Sequence, residues 1–185
     1  MDKEDVYSVI AYLRSLEPIE SFPESSKADF PVNFIINTIP EEAAFVTIPD
    51  KNDRADYGGY LLNMASCYEC HTNADDQGNL IMDMYLAGGR DFIAPWGTVR
   101  SANLTQDKKT GIGNWSEETF VARFKMYADS SYVAPKVDIE NGDFQTIMPW
   151  LMYAPMETDD LKAIYAYLKT VDPIENQVIK WTPAK

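Results

Sequence analysis

Apolar side chains recur at helical spacing in three segments beyond residue 52, while strand-like alternation of apolar and polar residues is nearly absent from the chain. The first helix is predicted to begin at Asp53. The second is predicted over Ser116–Tyr127, where the Ser116 hydroxyl can cap the first turn. The third is predicted from Thr158, with acidic residues at its positive end. Residues 72–114 are rich in loop-forming residues, so the pattern predicts an all-α fold with long loops.

The N-terminal segment repeats a segment near the C-terminus. Residues 1–21 align without gaps on residues 156–176, and both copies combine an acidic helix start, an apolar stripe and a terminating proline. The identical pairs are Met1/Met156, Asp5/Asp160, Ala11/Ala166, Tyr12/Tyr167, Leu13/Leu168, Pro18/Pro173, Ile19/Ile174 and Glu20/Glu175. The second copy closes the domain that contains it, so we predict that residues 1–16 are the closing helix of an upstream domain of a longer parent chain. The alternative is an extra helix docked on a complete one-domain protein.

Two further segments follow this N-terminal helix. Residues 17–52 contain Pro18, Pro23, Pro31, Pro40 and Pro49, with serine and acidic residues between them. This tract is too proline-rich for a helix or a central strand, so a connector is predicted. Its apolar piece, residues 34–36, suggests that the connector lies against a protein surface. Residues 53–185 are predicted to form the main domain.

The charge balance narrows the classes of partner. The 185 residues carry a net charge of −13, which repels phosphate backbones and anionic lipid surfaces and favours a partner with a basic docking patch. No apolar run approaches the roughly 18 residues of a membrane helix, so no transmembrane segment is predicted. The first five residues, Met1-Asp2-Lys3-Glu4-Asp5, are acidic where a signal peptide is basic, so no export signal is predicted in this sequence; a processed chain would begin in the same way.

Both cysteines and the only histidine of the chain fall within the segment Cys67-Tyr68-Glu69-Cys70-His71. In a helical turn, positions i, i+3 and i+4 share one side. Two thiols there can form thioethers with the two vinyl groups of one haem, while His71 reaches the iron. This C-x-x-C-H pattern is the attachment signature of c-type haem. A structural zinc site needs about four ligands, and this chain offers three in one cramped segment.

Residues 53–172 resemble the class I cytochromes c, most closely bacterial ones related to the cytochrome subunits of periplasmic dehydrogenases. Besides the attachment motif, the resemblance rests on Ala87-Gly88-Gly89, Ser101–Thr105, Thr110–Trp115, Met148-Pro149-Trp150 and Thr158–Leu168. It implies the class I cytochrome c fold, with few helices and long loops around one covalently attached haem c. It also implies an electron carrier rather than an enzyme, a periplasmic or other extracytoplasmic location, and respiratory redox partners. Many family members hold haem domains in tandem, which agrees with the repeat.

The second axial ligand of the iron is expected to be a methionine thioether, because the chain has no second histidine. Met148 is favoured because Pro149 disfavours helix at the preceding residue and gives an extended backbone that can reach into a crevice. Its distance upstream of the last helix also resembles the Met-Pro ligand of the family. Met152 and Met156 stay open as alternatives.

Several residues of the long loops are expected to border the haem. The charged residues Arg90 and Arg100 are candidate partners of a haem propionate. Trp96 and Trp115 are candidate indole N–H donors to the propionates. Asn103 is a candidate to hold these side chains in place. The resemblance further implies that Pro95 offers the backbone carbonyl that orients the ring of His71.

Electron transfer by a haem with His/Met ligation is therefore the leading functional hypothesis. The second is a haem enzyme or gas sensor, in which the sixth position of the iron is open or its ligand displaceable. The third is a thiol oxidoreductase that uses Cys67 and Cys70 without haem, although a thioredoxin-like motif needs a βαβ context that this region lacks.

Overall fold

The computed structural model describes residues 1–139 and 141–184. The chain divides into two compact units, Met1–Ile48 and the part from Pro49 onward. The helices are α1 (Lys3–Ser15), α2 (Val32–Ile35), α3 (Arg54–Met64), α4 (Cys67–His71), α5 (Glu117–Lys125), α6 (Trp150–Tyr153) and α7 (Thr158–Leu168), and the strands are β1 (Asp91–Ala94), β2 (Gly97–Arg100) and β3 (Trp181–Pro183). None of the described helices has the length and apolar character needed to cross a membrane.

The first unit contains α1 and the short α2. The carboxylate of Asp2 caps α1 by accepting a hydrogen bond from the Glu4 amide. None of the helix residues is buried, so the apolar stripe of α1 faces outward within its own unit. The prediction of no helix in residues 17–52 is wrong over one turn, since α2 forms with Pro31 as its N-cap, a position where a proline costs no helical hydrogen bond.

The core of the second unit lies between α3, α5 and α7. These helices agree with the predicted ones, and the Ser116 hydroxyl caps α5 by accepting a hydrogen bond from the Thr119 amide. A side chain at Gly58 would place its Cβ 1.8 Å from the carbonyl oxygen of Ala163, so only glycine lets α3 approach α7 this closely. The buried cluster between the helices consists of Leu62, Leu86, Ile112, Phe120, Ile164, Tyr165 and Leu168.

A three-stranded antiparallel sheet is a second feature of the fold that the sequence pattern did not predict. β2 lies in the centre, pairing with β1 from Asp91↔Arg100 to Ala94↔Gly97 and with β3 from Gly97↔Pro183 to Val99↔Trp181. The strands have three or four residues each, too few to show a clear period of two. The all-α prediction is therefore confirmed only in part: the fold is rich in helix and carries a small sheet.

Candidate functional site

The attachment segment forms the short helix α4 immediately after α3. Ser66 precedes α4 with a φ of 52°, a left-handed conformation that turns the chain between the two helices. On α4, Cys67, Cys70 and His71 occupy positions i, i+3 and i+4, as predicted. Cys67 packs against the hydrophobic core, whereas Cys70 is exposed. The two thiols thus share one side of a helix that is anchored at one end in the core.

The ring of His71 is held by a backbone carbonyl. Its Nδ1 lies 2.7 Å from the carbonyl oxygen of Ala102, and because a carbonyl can only accept, Nδ1 carries the proton. Burial lowers the pKa of His71, while the hydrogen bond to Ala102 acts in the opposite direction. A neutral imidazole protonated at Nδ1 keeps the lone pair of Nε2 for a metal ion. The structure gives this orienting role to Ala102, so the expectation for Pro95 is wrong.

A tight backbone junction fixes the loop that carries Ala102 against α4. The Gly88 amide donates to the carbonyl oxygen of His71 at 2.7 Å, and the Gly89 amide donates to that of Ser101 at 2.9 Å. Gly88 has a φ of 74°, and a Cβ there would lie 2.5 Å from the carbonyl carbon of Ala102. Glycine is therefore required at this crossing, and the crossing sets the position of the carbonyl that holds His71.

The protonation of Cys67 bears on the thiol chemistry of the site. Burial raises the pKa of the Cys67 thiol to about 11. A thiol oxidoreductase needs a thiolate, which an electropositive setting favours by lowering the pKa. The shift at Cys67 is in the opposite direction, so the site does not favour thiol–disulfide exchange.

The three candidate methionine ligands lie in different surroundings. Met148 is half-buried at a bend just before α6, and its amide donates to the Thr146 hydroxyl at 3.2 Å. Met152 is 79% exposed. Met156 packs against the hydrophobic core, and its carbonyl accepts a hydrogen bond from Lys125. Of the three, Met148 is neither turned to solvent nor part of the core.

Helix α6 links the Met148 segment to the attachment region. The Tyr153 hydroxyl donates to the carbonyl oxygen of Ala65 at 2.8 Å, two residues before Cys67. Burial is the main cause that raises the pKa of Tyr153, and the nearby Cys67 and Cys70 add to the effect. The chain that follows Met148 therefore approaches the end of α3 and the start of α4.

The charged and amide candidates around the haem have protein partners. Arg90 donates to the carbonyl of Glu69 on α4. Arg100 forms an ion pair with Asp91 at 2.7 Å and also donates to the Ile179 carbonyl and the Thr182 hydroxyl. The buried Asn103 amide donates to Thr110 and Ile174 and accepts from Thr105. Arg90 therefore touches the attachment helix, while Arg100 and Asn103 hold loops together.

The tryptophans divide into two groups. Trp96 is in the turn between β1 and β2, and Trp115 precedes α5; both are exposed. The indole Nε1 of Trp150, by contrast, is buried and has no hydrogen-bond partner among the described residues. Sequence reasoning missed Trp150 as a candidate, although its place two residues after Met148 was a usable signal.

These features fit a covalently attached haem. Two thiols and one imidazole occupy one side of α4, the imidazole keeps a free Nε2, and the half-buried Met148 lies at the bend before α6. The unpartnered indole N–H of Trp150 adds a donor for an acceptor that the described chain does not supply. The donor set matches the needs of a haem iron and of its polar substituents.

Comparison with known proteins finds cytochrome subunits of several dehydrogenases among the relatives, although no family model matches the chain. The fructose dehydrogenase cytochrome subunit of Gluconobacter japonicus is 34% identical over 121 residues, covering 64% of this chain and 21% of that protein. The gluconate 2-dehydrogenase cytochrome c subunit of Pantoea cypripedii is 36% identical over 111 residues, covering 60% and 21%. The cytochrome c subunit of the quinone-dependent alcohol dehydrogenase of Gluconobacter oxydans is 30% identical over 123 residues, covering 65% and 22%. The chain thus spans about a fifth of the length of these relatives.

Proposed function

We propose that this chain, which is similar to the cytochrome c subunits of dehydrogenases, is a c-type cytochrome that carries one haem c with His71 and Met148 as axial ligands. The haem is attached by thioethers to Cys67 and Cys70 and supplies a reversible one-electron couple at its iron. The chain serves as an electron carrier, not as the catalytic subunit. This role is supported by the three relatives described above, because each of them is named as a cytochrome subunit of a dehydrogenase.

The hydrogen bond between His71 and Ala102 carries this proposal. With Nδ1 donating to a carbonyl at 2.7 Å, Nε2 is the nitrogen left to bind iron, and the ring cannot rotate freely. The same contact raises the basicity of the imidazole as a ligand. A histidine that served only to fill the core would not need a fixed tautomer on a helix that also carries two thiols.

Met148 is proposed as the sixth ligand because of where the three methionines lie. Ligation by Met152 would require an exposed side chain to turn inward, and ligation by Met156 would remove a side chain from the core. Ligation by Met148 requires neither change. A protein ligand at the sixth position also keeps water and small molecules off the iron, which favours electron transfer over the haem-enzyme or gas-sensor alternative.

The partners and location follow from charge and from the relatives. We propose that the chain works outside the cytoplasm, where it accepts electrons from a dehydrogenase and passes them to a respiratory partner. The relatives that are named as dehydrogenase subunits support the donor. The net charge of −13 supports docking on a basic surface, because complementary charge speeds the encounter of redox proteins.

Residues 1–16 are proposed to belong to an upstream domain of the same parent chain. Helix α1 repeats the sequence of α7, and α7 in its own unit packs along α3. A matching partner helix would cover the outward apolar stripe of α1. The length of the relatives, about five times the matched part, supports further domains in a parent chain.

The attachment is tested by denaturing mass spectrometry of protein produced with a c-type haem maturation system. We expect the wild-type chain to carry one haem mass and to give a c-type spectrum in alkaline pyridine. Cys67→Ala and Cys70→Ala are expected to weaken or abolish attachment, each leaving at most one thioether. Tyr68→Phe changes a residue between the thiols without removing either and serves as the control. An unmodified wild-type chain from correctly matured material would contradict the proposal.

A further inference from the structure

The indole of Trp150 lies in a cage of side chains from the end of α5. The Tyr127 ring stacks on it with centroids 5.1 Å apart and planes 12° apart, and the Phe124 ring meets it edge-on at 5.4 Å. The Arg123 guanidinium lies 4.4 Å from the centroid of the indole. These contacts fix the ring, and they leave Nε1 buried without a hydrogen-bond partner among the described residues.

A buried N–H without a partner is unfavourable by about 1–3 kcal/mol, so a rigidly held one indicates an acceptor from elsewhere. The stacked Tyr127 ring and the edge-on Phe124 ring contact the indole through apolar carbon atoms, and Arg123 offers only donors. A water molecule would need roughly three polar partners, which these neighbours do not provide. A carboxylate, which only accepts, suits an indole N–H beside a guanidinium.

The side-chain amide of Gln106 is also buried without a hydrogen-bond partner in the described part of the chain, but unlike the Trp150 indole it carries both a donor and an acceptor. Its nitrogen and its oxygen are both buried without a partner among residues 1–139 and 141–184. An amide needs an acceptor and a donor at once, which a water molecule supplies and a carboxylate does not. The pair formed by Trp150 and Arg123 is donor-only, so it selects an anion.

Trp150 lies close in the chain to the proposed sixth ligand. It follows Met148 by two residues, and α6, which it begins, is bonded through Tyr153 to Ala65 next to the attachment helix. Lys125 also donates to the Ala154 carbonyl at 3.2 Å, which ties α6 to the end of α5. The carboxylates that a haem brings into such a position are its two propionates.

We propose that Trp150 Nε1–H, with Arg123 stacked on the same ring, donates a hydrogen bond to a haem propionate. This inference rests on the proposed function and goes beyond it, because it assigns the propionate contact to residues other than those expected from the sequence. It also makes Trp150 a positioning residue for the Met148 segment. A bond from Trp150 to the haem would hold the chain two residues from the sixth ligand.

The test compares Trp150→Phe with the wild type, both loaded with haem. The substitution keeps an aromatic ring in the cage and removes the donor. When a propionate loses a hydrogen-bond donor, its negative charge is less well compensated, and the stronger negative field at the iron favours the ferric state. We therefore expect a lower midpoint potential, with the ferrous-to-ferric ratio at the wild-type midpoint falling severalfold, and a shift of the propionate bending mode in the resonance Raman spectrum.

Trp181→Phe is the matched control. The Trp181 indole donates to the Gly142 carbonyl at 2.8 Å, so this variant loses an indole hydrogen bond in the sheet and is expected to keep the wild-type potential. Arg123→Gln is expected to lower the potential as well, and Arg123→Lys to lower it less. If the shift comes from Trp96→Phe or Trp115→Phe and not from Trp150→Phe, the inference is wrong.

Two measurements keep the outcomes separate. The alkaline pyridine spectrum of each preparation reports whether haem is attached. Wild-type protein without haem contradicts the proposed function, whereas attached haem with an unchanged potential in Trp150→Phe contradicts only this inference. If the variant does not fold, NMR of the ferrous wild type decides: we expect the Trp150 indole N–H to exchange slowly with D2O, and rapid exchange would overturn the assignment.

Discussion

Helices α1 and α7 have nearly the same sequence pattern and opposite environments. Leu13 of α1 is 59% exposed, whereas the aligned Leu168 of α7 is 1% exposed. Val9 is likewise exposed, and the aligned Ile164 is buried in the core. Both helices begin with acidic residues in the first turn. The spacing of apolar residues along a helix therefore specifies which face is apolar. Whether that face is buried depends on the elements that pack against it.

What α7 has and α1 lacks within its own unit is a complementary helix. Gly58 and Gly59 of α3 lie against the Ala163 carbonyl and the Tyr167 ring of α7. The residues of α1 that align with Ala163 and Tyr167 are Ser8 and Tyr12. Most of the stability of a helix of this length comes from packing and not from intrinsic propensity. We therefore propose that the outward apolar stripe of α1 packs against a partner helix that resembles α3.

The largest difference between the two helices is expected from truncating their aligned leucines. Leu168→Ala removes a fully buried side chain and should lower the free energy of unfolding by about 2–5 kcal/mol. Leu13→Ala removes the aligned but exposed side chain and should change it by about 0.5 kcal/mol or less. Guanidinium denaturation of the haem-loaded protein, followed by the haem absorption, measures both. Equal losses in the two variants would mean that the stripe of α1 is covered in solution.

A smaller effect is expected from removing α1 altogether. If residues 1–16 belong to an upstream domain, a chain that begins at residue 17 should keep the haem spectrum and the midpoint potential of the longer chain. The reason is that the proposed ligands and attachment residues all lie beyond residue 66. Comparative redox titration of the two chains checks this, and loss of haem or a shifted potential in the shorter chain would show that the helix helps to form the haem pocket.

The placement of Cys67, Cys70 and His71 on one side of a helix was predictable because the three residues lie within five adjacent positions. The helices α3, α5 and α7 were predictable because an apolar stripe and capping residues specify them locally. The partner of His71 was not, since Ala102 contributes a backbone carbonyl from 31 residues away, and any residue type has such a carbonyl. The contact between His71 and Ala102 depends on the close crossing of two loop segments at Gly88. The pattern of apolar and polar side chains does not predict that crossing.

The sheet and the indole of Trp150 escaped prediction for related reasons. β3 pairs with β2 from more than 80 residues along the chain, and three residues that end in a proline give no periodic signal. Trp150 and the Arg123 that stacks on it meet only because α5 and α6 pack together. Arg100, in contrast, looked available in the sequence but is paired with Asp91 in the fold. Long-range packing decides which polar groups stay free for a cofactor.

The ferric absorption spectrum of haem-loaded Met148→Ala tests the central claim most directly. Met152→Ala, which removes an exposed thioether close by, is the matched control. We expect Met148→Ala to keep its covalent haem, to lose the thioether-to-iron charge-transfer band at the red end of the spectrum, and in the ferrous state to bind carbon monoxide, while Met152→Ala keeps the band. Persistence of the band in Met148→Ala, with its loss in Met152→Ala or Met156→Ala, would contradict the assignment of Met148 as the sixth ligand.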